Sequence, residues 1–301
     1  TYSNDFLIRG KRRWQYIRYL TVGVMGGLIS VAGAYAQTSY SITDLGVLPG
    51  LAGSTANGID DRGDIAGSSV TGLNQPTGFL LRDGVMTSIG KLPSATYSQG
   101  ISVNSSGYIV GCGDSNTPES QALLFRNNTL TNIAPNSSSN VCAIYINDAG
   151  TIVGDLSKGR DAGAWIPQIW VEDPSKPGRF RATSLNPFPG DTLAYAAAAN
   201  QHIQVVGNTS SQVNGTRGVM WNNDTNHTSF LLTPIPGDTQ SVAYAVSDLG
   251  AAAGMSQFGG YRSTPVVWSA DSTHTPPALP LVGADVHGFA DGINNSGQVI
   301  G

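Results

Sequence analysis

Hydrolytic chemistry needs a nucleophile, a base and an orienting acid held together, and this chain offers no ready-made set. Its histidines, His202, His227, His274 and His287, are scattered, and neither a G-x-S-x-G elbow nor an H-E-x-x-H pair occurs. A Ser/His/Asp triad drawn from distant loops stays open in space, because serines and aspartates are plentiful. Carboxylates have a better claim as hard oxygen ligands for calcium. Asp60, Asp61 and Asp64 cluster, and Pro-Gly-Asp-Thr recurs at 189–192 and 236–239. No D-x-D-x-D-G loop is present, and turn capping accounts for the same residues. Arg62-Gly63-Asp64 spells an adhesion tripeptide, but its glycine falls where a recurring pattern of the chain demands one.

That pattern is what must position any site. An Asx or Ser, a glycine usually three residues later, a short apolar strand and a terminal glycine recur six times. The copies are DDRGDIAG (60–67), NSSGYIVG (104–111), NDAGTIVG (147–154), NQHIQVVG (200–207), SDLGAAAG (247–254) and NNSGQVIG (294–301). The terminal glycines are 44, 43, 53, 47 and 47 residues apart. Such a period marks units that bury a core only against their neighbours. In the fourth copy Ile203 replaces the turn glycine, which predicts a different turn there.

Four short strands fit each unit. Before the Asx lie an apolar column (Ile59, Val103, Ile146, Ala199, Val246, Ile293) and a small one (Ala56, Gly100, Ala143, Ala196, Ala243, Ala290). Small residues at one depth of an inner strand suit backbones crowding toward an axis. The Asx-x-x-Gly link suits a hairpin, and a third strand ends in a bulky column, Leu81, Phe125, Trp170, Trp221 and Trp268. At a constant strand position these aromatics are read as packing between units, not as a carbohydrate platform. Fourth strands carry Ile89, Ile133, Leu185, Leu232 and Leu279, and proline links such as LPG (48–50), FPG (188–190) and IPG (235–237) close the units. The reading is an all-β propeller of four-stranded antiparallel blades, about six of them visible and the last incomplete. A β-solenoid is the rival. Tyr40 to Leu48 reads as an orphan outer strand able to clasp the last blade, and the chain is expected to continue beyond Gly301.

Strand order puts the first-to-second and third-to-fourth strand turns on one side. The longer second-to-third strand loops and the links between units lie on the other. Loops on a rigid ring are where binding develops, so Arg160, Asp161, Arg217, Tyr261 and Arg262 are the candidate ligand-binding residues, with solvated loop residues as the plain alternative.

The recurrent phrase, the strand pattern GFLLRDG (78–84) and the link LGVLPG (45–50) resemble the HAF-type extracellular repeat family. ANGIDDRGDIAG (56–67) and DGINNSGQVIG (291–301) match best, and the fourth and fifth copies match loosely. The resemblance implies export, usually from a bacterium, and a repeat fold of unknown biochemical role. It carries no catalytic residue across.

Composition agrees with a turn-rich β protein: 301 residues with 38 glycines, 12% charged and 40% hydrophobic. A basic run, Lys11-Arg12-Arg13, then an uncharged stretch from Tyr19 to Ala36 ending Ala34-Tyr35-Ala36, is laid out as a signal peptide over 1–36. The alternative is a membrane anchor, but the stretch is short and holds four glycines. Residues 37–301 are then the repeat domain, secreted to the extracellular space or cell surface and not spanning a membrane. That domain carries 11 basic and 19 acidic residues, net −8, which argues against nucleic acid. Cys112 and Cys142 lie at the same end of neighbouring units, so a disulfide and two buried thiols are both open. The expected function is a non-enzymatic scaffold for a surface ligand, glycan or protein, with no cofactor beyond the calcium option. The alternative is a secreted polysaccharide hydrolase or lyase working at the axial channel.

Overall fold

The computed structural model describes residues 41–301 apart from 72–74, 116, 118, 158–164, 260–261 and 271–275. The leader segment 1–36, Tyr40, Arg160, Asp161 and Tyr261 lie outside the described residues. The chain divides into two compact units, Thr1–Gly46 and Val47–Gly301. In the first, the Asp44 carboxylate accepts the Gly46 N–H at 2.9 Å. No strand forms over 42–48, where sequence patterning placed one. Leu48 is instead buried, and its N–H donates to the Ser69 hydroxyl at 3.0 Å.

The second unit is a β-propeller, with no helix among the described residues and none long and apolar enough to cross a membrane. Blade 1 holds β1 (Gly53–Ile59), β2 (Ile65–Val70), β3 (Thr77–Arg82) and β4 (Val85–Ser88). Blade 2 holds β5 (Ser98–Val103), β6 (Ile109–Gly113), β7 (Gln121–Arg126) and β8 (Thr129–Asn132). Blade 3 holds β9 (Asn140–Ile146), β10 (Ile152–Ser157), β11 (Trp165–Glu172) and β12 (Phe180–Ser184). Blade 4 holds β13 (Leu193–Ala199), β14 (Val205–Ser211), β15 (Gly215–Trp221) and β16 (Ser229–Leu232). Blade 5 has β17 (Gln240–Val246), β18 (Ala252–Phe258) and β19 (Arg262–Trp268), and β20 (Gly292–Ile293) pairs with β21 (Val299–Ile300) as a partial sixth. Within each blade, strands neighbour in chain order and run antiparallel. Among the described residues blade 5 has no fourth strand: Pro276 and Pro277 remove ladder donors, leaving an antiparallel bridge between Val266 and Ala278 and a parallel one between Ser263 and His287.

The repeated phrase works as local chemistry. Asn104 accepts the Ser106 and Tyr108 N–H groups on Oδ1, at 3.1 and 3.0 Å, while its carbonyl takes the Gly107 N–H. The third residue after the Asx sits at positive φ in every copy. Ile203 does so too, at φ 60°, and donates its N–H to the Asn200 carbonyl as the glycines do. The fourth turn therefore does not differ, contrary to the sequence expectation; the cap formed by Asn200 outweighs the strain of a β-branched residue in the left-handed region.

The terminal glycines have a different cause. The innermost strand of each of the five larger blades bulges at one place, extruding Asn57, Ile101, Ile144, Ala197 and Tyr244. The bulge swings a carbonyl over the paired glycine. A Cβ on Gly67, Gly111, Gly154, Gly207, Gly254 or Gly301 would fall far inside contact distance of the oxygen of Thr55, Gln99, Cys142, Tyr195, Val242 or Phe289.

Core formation lies between blades. Phe125 packs with Ala66 and Ile89 of blade 1, Trp170 with Val110 and Leu124 of blade 2, Trp221 with Ile169 and Leu185 of blade 3, and Trp268 with Met220 and Leu232 of blade 4. Burying each indole contributes about 4–6 kcal/mol as an upper figure. The aromatic column is thus the seam between blades.

Candidate functional site

Six hairpins converge on one cavity of about 470 Å³. Its floor is the apolar column Ile59, Val103, Ile146, Ala199, Val246 and Ile293, and its rim is the Asx residue or the residue after it in each hairpin. Convergence of all six units on one opening is what radial packing about an axis requires.

The rim is locked by hydrogen bonds that run from blade to blade. Asn104 donates its side-chain amide to the Asn147 carbonyl (3.1 Å), Asn147 to Asn200 (2.8 Å) and Asn200 to Ser247 (3.0 Å). One residue outward, the Ser105 N–H donates to Asp148 Oδ1 (2.7 Å) and the Gln201 N–H to Asp248 Oδ1 (2.9 Å). Asp248 and Asn295 exchange two bonds, N–H to Oδ1 at 2.7 Å and Nδ2 to Oδ2 at 2.6 Å. Polar side chains held this way are preorganised.

Blade 1 breaks the series. Asp60 stands in the asparagine column and has no amide to donate; its Oδ1 caps the turn, and its Oδ2 is buried without a partner. Beside it, the exposed Asp61 side chain makes no hydrogen bond among the described residues. Tyr145 lines the same opening, its phenol pushed up to about 12 by burial and then by Asp148, Asp248 and Asp61. It stays neutral, a donor, across the physiological range. Acceptors gather at the blade 1 corner, and no histidine among the described residues lines the cavity. The arrangement suits binding of a cationic or donor-rich group better than proton transfer.

The loop-face candidates fare differently. Arg217 donates to Asp191 through Nε (3.2 Å) and Nη2 (2.7 Å), and Arg262 donates to Asp238 at 2.6 Å. Both aspartate side chains are fully buried. Asn214 and Arg217 hold the Asp191 carboxyl below its ordinary range against the opposing effect of burial. These arginines cap the Pro-Gly-Asp-Thr turns, so the carboxylates offered to calcium are already paired. Asp64 likewise accepts from Arg82 Nε at 2.8 Å. Among the described residues no group of three or more His, Cys, Asp or Glu converges as a metal set. Cys112 and Cys142 meet across the seam of blades 2 and 3, Cα atoms 5.0 Å apart, within the span of a disulfide.

Sequence reasoning missed Asp155. It is buried at the seam of blades 3 and 4, where its Oδ1 accepts the Ala196 N–H at 3.0 Å, and burial pushes its carboxyl up to about 7. In the next seam the neutral Asn208 takes the Ala243 N–H at 3.1 Å. The rim residues Asp61, Asp148, Asp248 and Asn295 were visible as the column after the Asx, but a turn position alone gives no sign that six turns share one opening.

No protein-family model matches the chain, and no curated protein matches it. Among solved structures it is similar to TolB from Acinetobacter baumannii, with TM-score 0.52 and 16% identity over 78% of this chain and 56% of that one. The chain therefore spans little more than half the length of that protein. It is also similar to XC5397 from Xanthomonas campestris, described as a gluconolactonase important in glucose secondary metabolic pathways. That match has TM-score 0.43 and 11% identity over 82% of each chain. At 16% identity the likeness to TolB bears on the fold alone.

Proposed function

We propose that the chain is a non-enzymatic binding module of an exported protein, and that its six-hairpin mouth receives a cationic group of a surface partner. One observation carries the reading: at the blade 1 corner of the ring, the exposed Asp61 carboxylate lines the cavity and makes no hydrogen bond among the described residues, beside the buried, unpartnered Asp60 Oδ2. Ser105, Asp148, Gln201, Asp248 and Asn295 of the rim are committed to neighbouring blades, so they shape the opening without reorganising on binding. The signal-peptide layout of residues 1–36 and the resemblance to the HAF-type repeats support export, which amino-terminal sequencing of the secreted protein tests by a start at Gln37.

Calorimetric titration with tetralysine at low ionic strength tests the binding mode, with tetraglutamate as control. Saturable binding that weakens about tenfold or more in Asp61→Asn is expected, as loss of a charge-assisted contact implies. Absence of saturable tetralysine binding would sink the proposal.

A second reading, a polysaccharide hydrolase or lyase, rests on Asp155, whose raised pKa suits a general acid. It ranks behind because Asp155 does not line the axial cavity. Release of reducing ends from acidic and neutral glycans, abolished by Asp155→Asn, would reverse the order.

A further inference from the structure

The residue after each terminal glycine decides how a blade is tied to the next. Asn208 takes the Ala243 N–H of blade 5 at 3.1 Å, an amide tie indifferent to pH. Ser68 makes no such tie, and its buried Oγ has no partner. Met255 brings a thioether to the column, and the Ala290 N–H goes to the Gly254 carbonyl instead, at 3.2 Å. The two remaining ties depend on conditions. Cys112 meets Cys142 of blade 3, a bond that a reductant can open, and Asp155 takes the Ala196 N–H of blade 4 at 3.0 Å through a carboxyl that can ionise. Among the described residues, blade 3 alone is held by such conditional ties on both sides.

The two ties meet at one place. Cys142 on β9 and Asp155 on β10 are paired directly across the two strands, one pair beyond the shift in register. Ladder pairing joins their backbones, so movement of β9 away from blade 2 carries Asp155 with it. Around Asp155 a carboxylate finds little support. Ala196 supplies a single N–H, the other register partner is Pro167 of β11, and the Tyr195 phenol approaches from β13. Ser157 Oγ, two residues along the same face of β10, is buried without a partner. No ion pair to Asp155 forms among the described residues. Burial accordingly pushes this carboxyl up to about 7, and the Tyr195 phenol is raised by its own burial and then by Asp155. A looser seam admits water, which favours the charged carboxylate.

We propose that the Cys112–Cys142 bond and Asp155 form one latch on blade 3, in which reduction and ionisation each loosen the blade and each favours the other. A dithiol drives the reduction: the S–S bond breaks, the two cysteines take its two hydrogens as thiols, and the dithiol closes to its own disulfide. Ionisation releases the Asp155 proton to water. The latch is separate from the axial mouth and stands whether or not that mouth binds cations.

The full chain, oxidised and then equilibrated with dithiothreitol between about pH 5.5 and 7.5, tests it. Below the pKa of the thiols the exchange constant is independent of pH unless another proton is linked to it. The constant for reduction is expected to rise about sixfold across that range, as a tenfold coupling requires, and to stay flat in Asp155→Asn. By reciprocity the Asp155 carboxyl, followed by its side-chain carbon resonance, should titrate about one pH unit lower in the reduced protein. That measurement needs no variant, so it decides the matter if Asp155→Asn fails to fold. Amides of β9 and β10 should lose protection against hydrogen exchange on reduction at the upper end of the range, while those of β14 and β15 keep theirs. A pH-independent constant in the parent, an equal slope in Asp155→Asn, a carboxyl that titrates alike in both redox states, or protection lost uniformly over all blades would overturn the proposal.

Discussion

Asn147 donates its side-chain amide to the carbonyl of Asn200, 2.8 Å away and one blade further on, while its own Oδ1 caps the hairpin it starts. One side chain thus closes a turn and joins two blades, which is why asparagine, with an acceptor and a donor on one planar group, recurs in that column. Asp60 and Ser247 do only the first task here, Asp60 because its carboxylate has nothing to donate.

Asp60→Asn should therefore stabilise the protein. By repeat equivalence the new amide would reach the carbonyl of Asn104, adding a rung and removing the orphaned Oδ2. A gain of about 0.5–1.5 kcal/mol is expected. Asn147→Asp should cost at least as much by the reverse change. Urea midpoints of both variants at constant m-value check the pair, and a destabilised Asp60→Asn would contradict the ring argument.

Gly207→Ala places a Cβ against the Tyr195 carbonyl at the bulge, where backbone must move to admit it. A loss above about 2 kcal/mol is expected, in the range of overpacking that strains backbone. Gly53→Ala is the control, since its Cβ would meet only Val70 Cγ2 at an ordinary 3.4 Å. Equal melting temperatures for the two variants would show that the bulge does not set the glycine column.

The propeller was legible because its signals are local and repeated: Asx turns, terminal glycines, the aromatic column at Trp221 and Trp268. What escaped were consequences of register. No residue type announces the bulge at Asn57 or Ala197, so the glycines could be counted but not explained. Ile203 misled because propensity favours glycine at positive φ, while Asn200 and its cap hold the turn regardless. Arg217 and Arg262 looked free as loop cations because their partners lie 26 and 24 residues away in sequence. Asp155 carried no signal at all; its burial depends on the neighbouring blade.

Asp155 should make stability fall as pH rises. Its folded pKa, about 7, lies above its ordinary 3.8, so the folded state binds more protons between those values. Its contribution is complete below about pH 4 and is lost as pH climbs through 7. Glu172, held down to about 2 chiefly by Arg126, acts oppositely and is lost only in strong acid. Asp155→Asn keeps the acceptor for Ala196, as Asn208 does for Ala243, and should flatten the slope between pH 4 and 7 and stabilise the protein at pH 8. Thermal melts across that range check it, and an unchanged slope would refute it.

Arg217→Ala should destabilise rather than merely weaken binding, because it strands Asp191, whose side chain is fully buried. Breaking a buried pair from one side costs about 3–5 kcal/mol, reduced here because Arg217 is partly exposed. Double replacement with Asp191→Asn should recover much of the loss. A folded, fully stable Arg217→Ala would return Arg217 to the candidates for ligand contact.

Cys112 and Cys142 should be found joined in the protein recovered from an oxidising compartment. Their Cα atoms are 5.0 Å apart across the seam of blades 2 and 3, and the bridge would close a loop of about 30 residues. Chain-entropy reasoning gives such a loop about 3–4 kcal/mol of stabilisation, because the link restricts the unfolded chain more than the folded one. Mass spectrometry after alkylation without reductant should show neither cysteine labelled, and Cys112→Ser with Cys142→Ser should lower the urea midpoint. Two alkylated thiols in protein from that compartment, or a double variant as stable as the parent, would show that the pair packs as free thiols and that the seam stands without it.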